Sequence, residues 1–600
     1  MPPDKHFFAW YSLHLLSQEI VVFQSLCNGV MKGWDNEEVN ESDDDGPVEY
    51  LSLPEVTISA FIETGQEESS IIVPLQRAYT GRKPVISSRL ADTPCATLGV
   101  QGLLDKLNTT LRTSYSLDNQ SLSSLLEDCI TKNYDFGMAY GRLRVIWYTD
   151  KWSTIRDVLC RREKKDRDKR REALIDHRIV DTWLRPRRVW DLCSNRVVPY
   201  WIKNIDSKLK YRPWPQPISH AWVDERDRAV MRTPINGYEW PVPIPNDVDL
   251  NLIRIEMLNL GLEYAWLDVL CLRQVGGPGE DLRADEWKVD VPTIGRVYYH
   301  AKVVCYLSGL GRPLTLKDGD LESEHCWFRR AWTLQEVGYK RVIAGDTPDG
   351  PLHAEHKDGK YDTELLTRFH KQLQSKRSMW LWVHEALEEM RKRVSTNPVD
   401  KIAGLAFLMY SRAIPAYYES ESLEDAWTAL VLSMDERRRA QLFFLCPEPG
   451  NAGKKWRPSW DQVMKPLHTC YHRRNGMRIR RDKTVDEDWC VVDCIEKGLV
   501  RGLAVVEGGD PSRRGELIVE NDDGIEQFKI TAAHAYPIPE DTYTMIHTCE
   551  FESSRGHGWV VGRSLPGGKF EKVATLEISH EEQSRLEDLH ITEERQYILI

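Results

Sequence analysis

Tyr264-Ala265-Trp266-Leu267-Asp268-Val269-Leu270-Cys271-Leu272-Arg273-Gln274 is almost continuously apolar as far as Leu272. Such a run marks a strand covered on both faces rather than one with a wet side. Reading outward, 250–260 places Leu252, Ile255, Met257, Leu258 and Leu260 largely on one helical side, and Gly261 suits the helix stop. Before it, Ile218-Ser219-His220-Ala221-Trp222 reads as a short apolar strand end after Pro217. After it come a Gly/Pro-rich acidic loop at 275–281, a helix over 290–301 and an apolar strand over 302–307. A helix over 326–339 and a short strand at 341–345 complete the stretch. The β-α-β-α-β-α-β order predicts an α/β domain with a parallel sheet and right-handed crossovers. Strand ends are where such folds gather ligand-binding groups, so chemistry is sought there first.

The whole chain sets bounds. Its 600 residues are too many for one ordinary core, so two to four domains are expected. A net charge of −12 argues against a nucleic-acid binder as a whole. No apolar run approaches the roughly 20 residues of a membrane helix, so no membrane span is expected. The apolar start at 7–30 is interrupted by Glu19 and lacks a basic leader; it reads as an amphipathic helix rather than a signal peptide. Thirteen cysteines without a Cys-x-x-Cys pair fit reduced thiols in a cytoplasmic protein. His468, Cys470 and His472 with Cys490 and Cys494 could be drawn as a zinc set, but the spacing matches no finger or ribbon; loop residues are the simpler reading and no metal is expected.

Residues 36–46 are acidic and nearly without apolar groups, as a linker is. Residues 161–172 are all charged, eight basic and four acidic, with acids three or four positions from bases. That suits a solvated helix laced by ion pairs, and an anionic contact is the sharper alternative. The chain is mostly helical over 375–445, then turns to short β segments from about 482.

Three blocks, Ile218-Ser219-His220-Ala221-Trp222, Trp266–Gln274 and Arg330-Ala331-Trp332-Thr333-Leu334-Gln335-Glu336, resemble the signature blocks of the fungal heterokaryon-incompatibility (HET) domain. Asp400-Lys401-Ile402-Ala403-Gly404-Leu405 and Pro458-Ser459-Trp460 look like the pieces that often follow them. The resemblance covers about 181–461. It departs at Trp222-Val223, where the family usually has Trp-Gly, so the loop there is expected to differ. HET domains are in turn similar to TIR domains, some of which cleave NAD through one glutamate in a Trp-Cys-x-x-Glu element. Here Trp332-Thr333-Leu334-Gln335-Glu336 has that spacing with Thr333 for the cysteine.

The resemblance implies a TIR-like, flavodoxin-like sheet core at 181–346 with a helical extension at 347–465. An N-terminal mixed α/β region at 1–180 would precede it, and a separate β-rich domain at 466–600 would follow. It implies a role in non-self recognition and regulated cell death. Glu336 becomes the candidate catalytic residue of an NAD glycohydrolase, with NAD as substrate and no cofactor. Ser219, His220, Trp222, Asp268, Gln274, Arg329, Arg330 and Trp332 become candidate substrate contacts. Self-association, or a partner signalling protein, would switch it on; a non-catalytic module working by assembly is the alternative.

The chemistry is self-consistent. Breaking the nicotinamide–ribose bond builds oxocarbenium character on the sugar, and the leaving group departs neutral, so one carboxylate could suffice. A tryptophan four positions from Glu336 on a helix would share its face and offer a ring platform. Arg329, Arg330 or His220 could meet the diphosphate. Each choice has a plainer reading. Glu336 could be a surface acid paired with Arg330 or Lys340, His220 a packed strand-end residue, Asp268 part of a structural network, and the tryptophans core. Cys271 has no nearby base in sequence and is set aside as a nucleophile.

Overall fold

A computed structural model describes residues 53–600 apart from 150, 204–213, 300, 339, 357–360, 376–381, 410–411, 467–476, 483, 506–511, 522–523 and 548–555. The amphipathic start, the acidic 36–46 segment and the His468–Cys470–His472 group therefore lie outside the described residues. Residues 54–600 form one compact unit.

At its centre is a mixed six-stranded sheet. Its strands are β1 (Arg188–Asp191), β2 (Arg196–Pro199), β3 (Gln216–His220), β4 (Tyr264–Leu267), β5 (Lys302–Tyr306) and β6 (Lys340–Ile343). They lie in the order β6-β5-β3-β4-β1-β2. β3, β4, β5 and β6 are parallel, with Trp266 opposite Pro217 and Cys305 opposite Ser219. β1 is antiparallel to β4, and β2 to β1. The sheet is thus not wholly parallel as expected. The four-residue loop between β1 and β2, with Asn195 at φ 53°, is far too short for a crossover, so this pair can only be a hairpin.

Helices cover both faces. Trp266 meets the ring of Tyr298, on helix Ile294–Tyr299, edge to face at 5.8 Å. On the other face Tyr306 donates to Glu256 of helix Leu250–Asn259 at 2.6 Å. Glu256 also accepts from Gln76 at 2.7 Å and from the Gly345 amide at 2.8 Å. Three donors at one buried carboxyl join the upstream segment, a crossover helix and two strand ends. Burial still raises the Glu256 pKa.

Buried arginines hold the upstream segment to this sheet. Arg144, fully buried, grips Asp191 with Nε and Nη2 at 3.0 and 2.7 Å and reaches Glu263 at 2.6 Å. Arg254, also fully buried, caps the carbonyls of Leu192 and Ile86, both at 2.7 Å. The charged 161–172 run lies on helix Trp152–Ala173, where Arg170 turns inward to Asp290 at 3.2 Å.

Two expected elements differ. Instead of one helix over 290–301, helix Arg283–Asp290 and helix Ile294–Tyr299 meet at a turn through Pro292. Instead of a helix over 326–339, the chain makes two isolated 3₁₀ turns, Trp327–Arg329 and Trp332–Leu334, with extended Arg330 between them.

The C-terminal strands pair into a closed antiparallel circuit. Glu487–Arg501, Ser512–Asn521, Gly524–Ala533, Lys569–Ile578, His557–Leu565 and Asp541–His547 follow one another, and the last pairs back on the first. Closure removes the exposed edges an open sheet would carry. Its interior is packed by Leu517, Phe528, Met545, Trp559 and Leu576. Lys572 leaves this barrel to cap the end of helix Glu436–Leu445, donating to Phe443 and Cys446 carbonyls at 2.7 Å each.

Removing one member of the Arg144–Asp191 pair leaves an uncompensated buried charge. Asp191→Asn is expected to destabilise the fold by about 3–5 kcal/mol, and the double change Asp191→Leu with Arg144→Met by clearly less. Denaturant unfolding of the three proteins checks this, and equal losses for the single and double variants would contradict it.

Candidate active site

The parallel strands lie in the order β6-β5-β3-β4, so the chain leaves β3 to one side for β4 and crosses back to the other for β5 and β6. Ligand crevices in α/β sheets open at such a reversal, outside the carboxyl ends of the strands. Ser219 and His220 close β3 there, Asp268 follows the end of β4, and the 327–336 segment follows β5.

Ser219 and Glu336 meet at this point. The Ser219 hydroxyl donates to Glu336 Oε2 at 2.6 Å and accepts from the Trp327 indole at 2.7 Å. Ser219 is 1 % exposed and Glu336 9 %. Burial pushes the Glu336 carboxyl up to about 7; the Ser219 hydrogen bond opposes this, and the Asp268 charge adds to it.

His220 and Asp268 form the second pair. Nε2 of His220 lies 3.1 Å from Asp268 Oδ1, and Nδ1 lies 3.3 Å from the Ala221 carbonyl. Both partners accept, so both ring nitrogens are satisfied together only in the imidazolium. Burial alone would lower the His220 pKa, but Asp268, the Ala221 carbonyl and Glu336 together outweigh it and the net shift is upward. Asp268 begins the short helix Asp268–Cys271 rather than sitting inside a longer strand, and its Oδ1 also takes the Val269 amide at 2.8 Å. Gln274 donates to the Leu272 carbonyl at 2.9 Å and to that of Asp268 at 3.5 Å, bracing this turn. Trp222, half-buried, has its ring 5.3 Å from that of His220, with the Arg228 guanidinium over its face. Cys271 is buried, its thiol pushed up to about 12, so it is no thiolate nucleophile.

The remaining candidates turn away. Arg329 donates to the Glu322 carbonyl at 2.6 Å. Trp332 does not share a face with Glu336, because the helix that would have aligned them is absent. Its side chain instead hydrogen-bonds the half-buried Asp400, and its ring lies 6.4 Å from that of Tyr417. Arg330 sits near Asp400, and burial lowers its pKa. Glu336 pairs with neither Arg330 nor Lys340 but with a hydroxyl.

Several residues that shape the site were given no role in it from the sequence. Trp327 fixes the Ser219 hydroxyl. Thr333 donates back to the preceding 3₁₀ turn, to the Trp327 carbonyl at 2.6 Å. Arg393, 1 % exposed, donates to the Arg330 carbonyl and to Thr333 Oγ1, both at 2.7 Å. Asp400 takes the Tyr417 hydroxyl at 2.8 Å as well as Trp332. Gly404 lets helix Val399–Met409 approach; a Cβ there would lie 3.1 Å from the Ala331 carbonyl. The downstream Asp400–Gly404 block thus packs on the Glu336 segment, which is the one signal that linked them in sequence.

Among the described residues no group of three His, Cys, Asp or Glu is placed to hold a metal ion, and no helix is long and apolar enough to cross a membrane. Comparison of the chain with protein-family models, curated proteins and solved structures finds no match.

The raised carboxyl has a consequence for stability. The folded chain holds the Glu336 proton more tightly than the unfolded chain, whose carboxyl has the ordinary value of 4.5. Its stabilising contribution is therefore full below that value and is lost as pH rises through about 7. Glu336→Gln, which does not titrate, is expected to gain on the parent across this window, by about 3 kcal/mol at most. Denaturation midpoints at pH 4.5 and pH 8 check it; parallel behaviour of the two proteins would contradict it.

Proposed function

We propose that the protein is an NAD glycohydrolase built on a TIR-like HET domain, with Glu336 as the working carboxylate. The observation that carries this reading is the buried Glu336 carboxyl at the sheet reversal, titrating near neutrality beside Ser219 and the His220–Asp268 pair. The parallel-strand order supports a flavodoxin-like core. The family reading rests on the three sequence blocks.

In this reading the bond between ribose C1′ and the nicotinamide nitrogen breaks, and its electron pair neutralises the pyridinium. Ionised Glu336 stabilises the positive charge that develops on the sugar. Water then adds to C1′ and gives up a proton, leaving nicotinamide, ADP-ribose and H⁺. His220, as imidazolium held by Asp268 and the Ala221 carbonyl, adds positive charge beside the diphosphate. Trp222, half-exposed beside His220, offers the ring platform that Trp332 does not. The role follows from the same reading: non-self recognition ending in regulated cell death, in the cytoplasm, with self-association or a partner protein as the trigger.

A second reading is favoured by one observation. Glu336 is nearly closed off, so a dinucleotide reaches it only if the 327–336 segment moves. A non-catalytic signalling module, acting through assembly, would keep it closed.

NAD consumption by the purified chain, across a range of protein concentrations and under forced assembly, separates the two. The glycohydrolase reading expects nicotinamide release that falls at least 100-fold in folded Glu336→Gln, a loss of the size expected when one electrostatic group is removed. It also expects kcat/KM to rise with pH through about 7, as the carboxyl ionises. Equal turnover in both proteins removes Glu336 from the mechanism, and no turnover under any condition favours the signalling module.

A further inference from the structure

The segment that carries Glu336 is held by contacts outside itself. Its helix-like sequence forms only two 3₁₀ turns. Between them, extended Arg330 makes a parallel bridge with Val394; the Ala331 amide donates to the Val394 carbonyl at 2.9 Å, and the Val394 amide to the Arg329 carbonyl at 2.7 Å. Arg393 adds its two hydrogen bonds to the Arg330 carbonyl and Thr333 Oγ1. Residues 393–394 thus replace the hydrogen bonds a helix would have made for itself.

The arrangement leaves polar groups unmatched. Gln335 is 1 % exposed, and neither its Nε2 nor its Oε1 has a hydrogen-bond partner among the described residues. Nε and Nη2 of Arg393 are likewise buried without one, and the carboxylate nearest that guanidinium, Glu389, is 3.9 Å away. Buried donors and acceptors left unpaired disfavour the conformation that buries them. The closed segment therefore combines a strong local latch with groups that gain from leaving it.

We infer that residues 327–336 are a gate over the carboxyl ends of β3 and β4, latched shut by Arg393 and biased toward opening by the unpaired amide of Gln335. Opening frees the Arg330 carbonyl and Thr333, lets Gln335 reach water and uncovers Glu336. Arg393 is a positioning residue, acting through the segment that carries Glu336. The consequence for activity rests on the glycohydrolase reading, but the gate itself is tested without turnover.

The test is hydrogen–deuterium exchange, followed by mass spectrometry on the full chain, with peptides covering 327–338 and 393–394. Arg393→Met is expected to speed exchange there by roughly tenfold or more, with the barrel strands unchanged, and Arg393→Lys, which keeps a donor, to be intermediate. Thr333→Val removes one of the two latch acceptors and is expected to act in the same direction, which keeps the test open should Arg393→Met not fold. Gln335→Met, an apolar side chain of similar length, is expected to slow exchange several-fold, because the closed state then no longer buries an unpaired amide. Opposite signs for the Arg393 and Gln335 variants support the gate. Faster or unchanged exchange in Gln335→Met, or a uniform rise across the chain in Arg393→Met and Thr333→Val, overturns it. Absence of NAD turnover in the parent and in every variant, with the exchange pattern intact, would overturn the glycohydrolase reading and leave the gate standing.

Discussion

The Ser219 hydroxyl joins the two parts on which the site depends. It sits at the end of a central parallel strand, accepts the Trp327 indole and donates to Glu336. One oxygen therefore ties the sheet to a segment that has no regular structure of its own. It also moderates the cost of the Glu336 charge in a buried place: without a donor the carboxyl would be driven further from ionisation. The same logic recurs at Glu256, where Gln76, Tyr306 and the Gly345 amide converge on a buried carboxyl. The two carboxyls differ in what surrounds them. Glu256 is saturated with donors and cross-links the fold, whereas Glu336 has Ser219 as its hydrogen-bond donor and sits beside a charged pair.

Much of the sheet was legible in the sequence because β4 and β5 are buried almost throughout and read as apolar runs between turn signals, whereas β6, Lys-Arg-Val-Ile, starts exposed and is marked mainly by its place in the alternation. The Leu250–Asn259 helix was legible from its one-sided apolar residues. The β1–β2 hairpin was not: Arg-Val-Trp-Asp and Arg-Val-Val-Pro are four residues each, too short to show a period. Its Asn195 turn was the available signal. The 326–339 segment misled for a different reason. Its sequence suits a helix, and tertiary hydrogen bonds from residues 393–394 prevail over that local preference.

The site shows the same division. Ser219, His220 and Asp268 came from the resemblance blocks, and the fold brings them to one end of the sheet. Trp332 came to that cluster through the resemblance, with the expected helix aligning it to Glu336, and it leaves the cluster when the helix does. Arg393 carried no signal at all. In Arg391-Lys392-Arg393 it looks like surface charge, and its burial depends on a loop about sixty positions earlier. Asp400 and Gly404 were visible as a block whose purpose became physical only when Trp332 and the Ala331 carbonyl were seen against it.

The central claim is that Glu336 is a buried carboxyl poised between its two protonation states near neutral pH. Infrared difference spectra of the parent against Glu336→Gln, taken through a pH titration, observe that group directly. The expected result is a protonated-carboxyl band, absent from the variant, that disappears with a midpoint near pH 7. A band already lost by the ordinary value of 4.5 would mean that Glu336 is well solvated, and would contradict both the closed site and the chemistry assigned to it.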